Sequence, residues 1–435
     1  MKKGQQHICG EPRWWRGNLH THTFWSDGKA FPDEAAALYK AHGYHFLGLS
    51  DHNVFQDDPA RWIQETNRER YFADYLAAFP SAEVRIGADG VREARLSTFS
   101  ELAERFDEPD RFLLMPTIEA TRSVQFPDGR RHEVHMNYAN IPKLLPSLGV
   151  PDFKRVADDV PISEFISRHA EEVGAVARST GAARHLFIVN HPIWQWYDVA
   201  PEDIAESSAI RYFEVCNNGT EIPSCPDLPQ DGFDADRFWD VVNAFRARRG
   251  LPLLFGTGSD DTHCYRGESH GGMLMPFNAW ILVRSPSLDA ESIIGAMETG
   301  DFFACEGLEP EDVSFEPSSG TLSVSVAARP GVAQAIRFIV SKKDFSEVPV
   351  RTMRVRPPTE TDNPCHERTI RVYDDRIGLV AKSVHGGVGQ AVRASYTLAP
   401  DDLYVRARIE APGQPLCTAN MHPRCLAAWT QPYSA

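Results

Sequence analysis

The sequence predicts an α/β fold followed by a smaller all-β domain, and three observations carry that prediction. Up to about residue 305, short apolar β-like runs alternate with helix-like stretches, the pattern of a parallel α/β fold. After Gly307 the pattern changes to period-two alternation broken by Pro and Gly clusters. The chain has 435 residues, more than the roughly 250 of a single β/α barrel.

The expected strands of the first part are 17–20, 46–50, 112–118, 132–139, 186–190, 212–215 and 251–256. Helical patterns lie between them: 32–42 has Pro32 near its start and Gly43 just past its end, and 234–249 is followed by Gly250. A third, 290–298, stops at Gly300 and closes the unit. The stretch 53–111 reads as a helical insertion placed to cap a site. Domain boundaries are therefore drawn at 1–307 and 308–435. The second domain is a β-sandwich of five expected strands: 321–328, 335–341, 368–373, 394–399 and 403–409.

Apolar residues make up 42% and charged residues 24%, which disfavours disorder and coiled coils. The charge of 45 basic against 60 acidic residues, -15, leaves no basic excess for nucleic acid. No apolar run reaches the roughly 18 residues of a membrane span, and the first fifteen residues hold no hydrophobic leader segment, so a cytoplasmic chain is expected. Eight cysteines without a CxxC pair suggest reduced thiols rather than a disulfide framework.

The chemistry lies where the expected strands end. His20-Thr21-His22 with Ser26-Asp27-Gly28, Asp51-His52, Glu119, His135, Asn190-His191-Pro192, Glu214 and Asp261-Thr262-His263 follow apolar runs, and parallel β/α folds gather such ends at one mouth. His20 and His22, two apart on an extended segment, point to one side, as do Asp261 and His263. Each piece also has a structural reading: Asp51 as a helix cap, Glu119 as an ion-pair partner, Asn190-His191-Pro192 as a turn. Their recurrence at the same kind of strand end favours a shared site. Imidazole with carboxylate suits Zn, Mn or Fe, and a bridging carboxylate allows two or three ions in one centre. Such a centre supports hydrolysis without an organic cofactor.

The motifs Gly17-Asn18-Leu19-His20-Thr21-His22, Ser26-Asp27-Gly28, Leu49-Ser50-Asp51-His52-Asn53, Asn190-His191-Pro192 and Gly258-Ser259-Asp260-Asp261-Thr262-His263 resemble the PHP (polymerase and histidinol phosphatase) superfamily. Within it they look most like the carbaryl-hydrolase-like CehA/McbA metallohydrolases. The resemblance covers about residues 16–307 and implies a distorted (β/α)7 barrel with two or three divalent transition-metal ions at one face. By motif, His20, His22, Glu119 and Asp261 hold one ion, Glu119 bridges to a second taken also by His135 and His191, and Asp27, His52 and His263 hold the remaining one. His132 lies three residues before His135, and strand parity allows only one of the two to be a ligand.

Asp260 is read as a carboxylate that orients a ligand histidine. Glu214 is left out of the ligand set, a structural acceptor being an equal reading. Trp194, Trp196 and Tyr197 after His191, with Arg266 and His270 after His263, are expected to line the substrate side, as an aromatic wall with a cationic anchor or as packing.

The expected activity is attack by a metal-bridging hydroxide on a small-molecule phosphoester, with His191, His263 and Asp261 as the catalytic residues. The alternatives are a carbamate, ester or amide hydrolase with the same centre, and a non-catalytic metal-binding PHP module. The β domain has no aromatic stripe and is expected to buttress the barrel or form a homo-oligomer contact; a carbohydrate or protein ligand for it stays open.

Overall fold

In a computed structural model, which describes residues 11–125, 131–148, 161–193, 199–218, 234–267, 274–355, 368–415 and 425–434, the chain is a mixed α/β fold built on two main sheets. The first has five strands, in the order Phe255–Ser259, Tyr212–Asn217, Leu186–Val189, Arg131–Ala139, Thr117–Gln125. The first three are parallel and the last two antiparallel. The second has nine strands and runs from Leu113–Leu114 through Phe46–Leu47 and Arg13–Asn18 to Trp280–Ser285 and Phe302–Glu306. It then continues through Cys425–Trp429, Asp402–Pro415, Ala335–Lys342 and Leu379–His385.

The all-parallel expectation is corrected here. The expected 112–118 run splits into Leu113–Leu114 and Thr117–Gln125, which join different sheets. Pro116 sits at the break, has no N–H for a ladder, and uses only its carbonyl, which accepts from the Asn140 N–H at 2.8 Å. Thr117–Gln125 then returns antiparallel into Arg131–Ala139, because five intervening residues cannot make a parallel crossover of about a dozen or more. The last expected strand, 251–256, begins later, at Phe255–Ser259.

Two isolated parallel bridges join the sheets, His52 with Glu119 and Thr21 with Thr262. The Asn53 side chain extends the first seam, since its amide accepts from the Thr121 N–H and donates to the Thr121 carbonyl, both at 3.1 Å. His52, Thr21 and Thr262 lie just past the carboxyl ends of their strands, whereas Glu119 lies inside Thr117–Gln125, near its start.

The helices follow their sequence signals. Pro32–Ala41 opens on Pro32. Ala235–Arg248 and Ala290–Glu298 are capped by Asp234 and Asp289, which accept from the N–H groups of Arg237 and Ser292 at 2.8 Å. The 53–111 insertion is not helical throughout. Trp62–Gln64, Arg92–Arg95 and Val84–Ile86 form an antiparallel sheet beside helices Glu69–Ala78 and Phe99–Phe106. An Asp89-Gly90 turn, with Gly90 at φ 81°, lets the hairpin close. Phe72, Tyr75, Ala94 and Leu96 of the insertion bury Phe24, Trp25 and Phe31, and the Tyr75 ring stacks on Phe31 at 3.8 Å.

Asp312–Glu316, Thr321–Val326 and Val392–Thr397 form a smaller sheet over the C-terminal half of the nine-stranded one. Leu322, Val324, Phe338, Val340, Val405 and Ala407 share a buried cluster with Tyr44, Leu282 and Phe303. Residue 307 therefore marks a change of strand pattern, while the hydrogen-bonded sheet continues across it through Phe302–Glu306 and Cys425–Trp429. A buried ion-pair network ties the later strands to helix Ala235–Arg248. Arg406 binds Asp240 at 2.6 Å and Asp236 at 2.7 Å, Arg408 binds Asp236 at 2.8 Å, and Trp429 Nε1 donates to Asp236 at 3.0 Å. Among the described residues no helix is long and apolar enough to cross a membrane.

Candidate metal centre

The turn after strand Arg13–Asn18 presents the two histidines of the His-x-His motif. The Thr21 hydroxyl donates to the Gly48 carbonyl at 2.8 Å, and the His22 N–H donates to the Thr262 carbonyl at 2.8 Å. These bonds hold the segment extended, so His20 and His22 point to one side with ring centroids 5.2 Å apart. Each Nε2 lies 3.2 Å from Glu119 Oε2 and 3.2 Å from Asp261 Oδ1.

Glu119 divides its two oxygens. Oε2 faces His20, His22 and, at 2.9 Å, His52 Nδ1. Oε1 faces His135 Nδ1 at 3.1 Å and His191 Nε2 at 3.6 Å, and accepts from Asn190 Nδ2 at 2.8 Å. Asn190 is held in turn by Asn137, whose side chain donates to the Leu19 carbonyl at 2.9 Å. Asp261 enters from the opposite seam with φ 49°, a left-handed conformation that aspartate tolerates better than most residues. Asp27 Oδ1 completes the mouth, 3.3 Å from His263 Nε2 and 3.7 Å from His52 Nε2.

Four donor sets result, each with its atoms within 4.8 Å of one another: His20, His22 and Asp261; His20, Glu119 and His191; His52, Glu119 and His135; and His22, Asp27, His52 and His263. The structure thus brings together all nine residues expected as ligands, regrouped: His135 falls with His52, His191 with His20, and His22 also joins Asp27, His52 and His263.

The donor atoms fit a cation. His20 Nε2, His22 Nε2 and Glu119 Oε2 are buried without a hydrogen-bond partner, an arrangement costly for polar atoms unless something else satisfies them. Donors held about 2.0–2.1 Å from one tetrahedral ion sit about 3.3 Å apart, close to the 3.2 Å separations here.

Electrostatics within the cluster is strongly coupled. Burial alone would lower the His20 pKa, but Asp261, Glu214 and Glu119 hold it well above the usual imidazole range. His22 is likewise pushed up to about 10, its burial outweighed by Asp261 and Glu119, and His135 to about 9, mainly by Glu119. His52 moves down, through burial and the neighbouring His22. Burial opposes ionisation of Glu119 and Asp261, yet the surrounding imidazoles hold both well below the carboxylate range.

In the metal-free chain, a raised imidazole pKa stabilises the fold fully below pH 6.5, and that contribution is lost as pH rises through about 9 for His135 and about 10 for His22. Divalent ions compete with the same protons, so their affinity rises over this window. The gap in Tm between metal-loaded and metal-free protein is therefore expected to widen from pH 6.5 upward; a gap that narrows in calorimetry across that range contradicts the assignment of these histidines.

The surrounding carboxylates divide their roles differently from expectation. Asp51 accepts from the Thr23 N–H at 2.8 Å and the Ser26 hydroxyl at 2.7 Å, so it clips the His-x-His turn in place. Asp260 orients no histidine, which corrects that reading. It accepts from Asn18, Tyr39 and the N–H groups of Phe277, Asn278 and Ala279, each at 2.8 Å, and burial raises its pKa to about 6 despite them. The carboxylate that meets a ligand histidine is Glu214, 2.7 Å from His20 Nδ1. Period-two parity from the strand 212–215 is the sequence signal that places it in the mouth.

Arg266, expected as an anion anchor, is corrected too. Its guanidinium pairs with Glu34, lies 3.1 Å from Asp74, and sits over the Tyr71 ring at 5.0 Å, which clasps the insertion to helix Pro32–Ala41. Trp194, Trp196, Tyr197 and His270 lie outside the described residues, as does the side chain of His132.

Gly28 is a point of close approach. A Cβ there would lie 2.3 Å from the His22 carbonyl carbon and oxygen, backbone that cannot swing aside. Gly28→Ala is expected to push Asp27 away from His22 and His263, destabilising the protein by about 1–3 kcal/mol and lowering metal occupancy. Unchanged metal content by elemental analysis, with unchanged Tm, contradicts it.

No family model matches the chain, and no curated protein matches it. Among solved structures it is similar to a two-domain protein from Bacteroides vulgatus containing a predicted PHP-like metal-dependent phosphoesterase, at 12% identity over 97% of this chain and 95% of that one, TM-score 0.38. It is also similar to a candidate metal-dependent phosphoesterase from Bifidobacterium adolescentis, at 12% identity over 58% and 89%, TM-score 0.30. A third is an amidohydrolase from Chromobacterium violaceum with sulfate bound and no metal, at 16% identity over 58% and 88%, TM-score 0.27. None of these singles out the carbaryl-hydrolase-like branch.

Proposed function

We propose that the chain is a metal-dependent hydrolase that cleaves a small-molecule phosphoester. The observation that carries this reading is the division of Glu119, with Oε2 facing His20, His22 and His52 and Oε1 facing His135 and His191, in a cluster where His20 Nε2, His22 Nε2 and Glu119 Oε2 have no hydrogen-bond partner. His20, His22, Glu119 and Asp261 would hold one ion, Glu119 with His135 and His191 a second, and Asp27, His52 and His263 a third. Bound divalent ions lower the pKa of water and polarise a phosphoryl or carbonyl oxygen.

The chain's own residues supply placement and proton handling. Glu119 and Asp261 stay ionised in the metal-free cluster and offset the charge of bound cations. His263 has its Nδ1 on the Asp261 carbonyl at 2.9 Å, which turns Nε2 toward Asp27 at the open side; with two ions bound the protonated ring would hand its Nε2 proton to a leaving group, and with three the same atom would be a ligand. The insertion packs on Phe24, Trp25 and Phe31, which flank Asp27 in sequence.

A second reading, cleavage of a carbamate, ester or amide carbonyl, is favoured by one observation. Arg266 is held by Glu34 and Asp74, and a neutral carbonyl needs no such anion anchor. Metal-stripped protein reloaded with Mn or Zn and assayed on aryl phosphate monoesters, diesters and an aryl N-methylcarbamate separates the two. Turnover of carbamate alone overturns the phosphoesterase reading. Less than one tightly bound metal per chain, with no turnover of any of these, leaves a non-catalytic module.

A further inference from the structure

Glu214 stands inside strand Tyr212–Asn217, buried, and belongs to none of the four donor sets. Both its oxygens are engaged. Oε1 lies 2.7 Å from His20 Nδ1 and accepts from the Ser259 hydroxyl at 2.5 Å; Oε2 accepts from the His191 backbone N–H at 2.9 Å and from Asn217 Nδ2 at 2.8 Å. An acceptor facing three other donors has no proton of its own to offer, so the shared proton belongs to His20 Nδ1. With Nδ1–H held there, the opposite ring atom, Nε2, is the one that gives up its proton to a binding ion and turns its lone pair toward Glu119 and Asp261.

We infer that Glu214 is a positioning residue that selects the Nδ1–H tautomer of His20 and holds the His191 backbone in register with it. One carboxylate outside both sets thereby aligns the set of His20, His22 and Asp261 with the set of His20, Glu119 and His191. This rests on the metal-dependent reading above. It also explains the tolerance of a second buried carboxylate so close to Asp261: four contacts from separate strand ends fix it where it orients donors and does not compete with them.

Glutamine is the informative replacement because it keeps the shape and removes one acceptor. With its amide NH2 toward His20 and Ser259, it favours the wrong tautomer and places a proton on Nε2. With the NH2 turned the other way, it opposes two donors, the His191 N–H and Asn217. Glu214→Asp keeps the charge but shortens the reach.

The test is chelator competition for Zn2+ by the metal-stripped full chain, with Tm measured on the same samples. Glu214→Gln is expected to bind its tightest Zn2+ about 10–100-fold more weakly than the unsubstituted chain, and Glu214→Asp to fall between the two. A purely structural role lowers Tm and leaves the affinity in place. Zn2+ affinity of Glu214→Gln within twofold of the unsubstituted chain overturns the inference. Should the glutamine variant not fold, parity of Glu214→Asp does the same. An unsubstituted chain that binds no Zn2+ overturns the metal-dependent reading and this one with it, whereas parity between variants and a metal-binding parent overturns this inference alone.

Discussion

Glu119→Ala is expected to lower turnover by at least about a thousand-fold and to remove more than one metal ion per chain. Its Oε2 is an orphaned buried atom facing three imidazoles and its Oε1 faces two more, so this one carboxylate touches five of the candidate ligand histidines. Glu119→Gln is the sharper test. The amide keeps the volume, but its NH2 can only donate, and one of the two imidazole groups loses its shared oxygen. Elemental analysis is expected to show the glutamine variant retaining at most one tight ion where the parent holds two or three. An unchanged metal count, with turnover within tenfold of the parent, would sink the bridging role. The alanine variant also leaves charged imidazoles without their main partner in the metal-free state, because His20, His22 and His135 all owe part of their raised pKa values to Glu119. Its metal-free Tm is therefore expected to fall as well, and more at pH 6 than at pH 9.

Arg406→Ala is expected to destabilise the whole chain by about 3–5 kcal/mol, although it touches no candidate ligand. The guanidinium is fully buried, paired with Asp240 and Asp236, and lies over the Trp239 ring at 4.8 Å. Removing it leaves two carboxylates in the interior, and removing only one partner of a buried pair is the costly case. Asp240→Ala exposes the same dependence from the other side, while the double replacement Asp240→Asn with Arg406→Met is expected to cost less than the two singles summed. The consequence reaches the centre through helix Ala235–Arg248, which lies in sequence between the strand ending near Glu214 and the one leading to Asp261. Trp239 of that helix donates to the Leu254 carbonyl at 2.8 Å, so a loosened helix moves the Asp261 strand. Urea unfolding and Zn2+ competition on the same samples check both parts. Single variants within 1 kcal/mol of the parent contradict the network's role.

The residues of the centre were legible before the fold, for a local reason. Two histidines at spacing two on an extended segment must share a side, and His52, His191 and Asp261 follow the ends of Phe46–Leu47, Leu186–Val189 and Phe255–Ser259, whereas Glu119, His135 and Glu214 lie inside their strands. The helix limits of Pro32–Ala41, Ala235–Arg248 and Ala290–Glu298 were legible for the same reason, since Pro, Asp and Gly act on the backbone within one turn. Strand direction was not. The antiparallel return of Thr117–Gln125 into Arg131–Ala139 depends on a proline break and a short connection, and period-two patterning is blind to direction. The insertion was misread because an Asp-Gly hairpin weighs little beside the amphipathic helices around it.

Taken alone, the sequence determined the donor types and the sides on which neighbouring donors point, because these follow from backbone periodicity within a few residues. Tertiary structure alone decided which partners those donors meet. It turned Glu214 and not Asp260 toward His20, divided Glu119 between two groups of imidazoles, committed Arg266 to Glu34 and Asp74, and carried one sheet across residue 307. Each of these depends on the register between segments tens to hundreds of residues apart, and a contact of 2.7 Å between Glu214 and His20 has no trace in the spacing of either one.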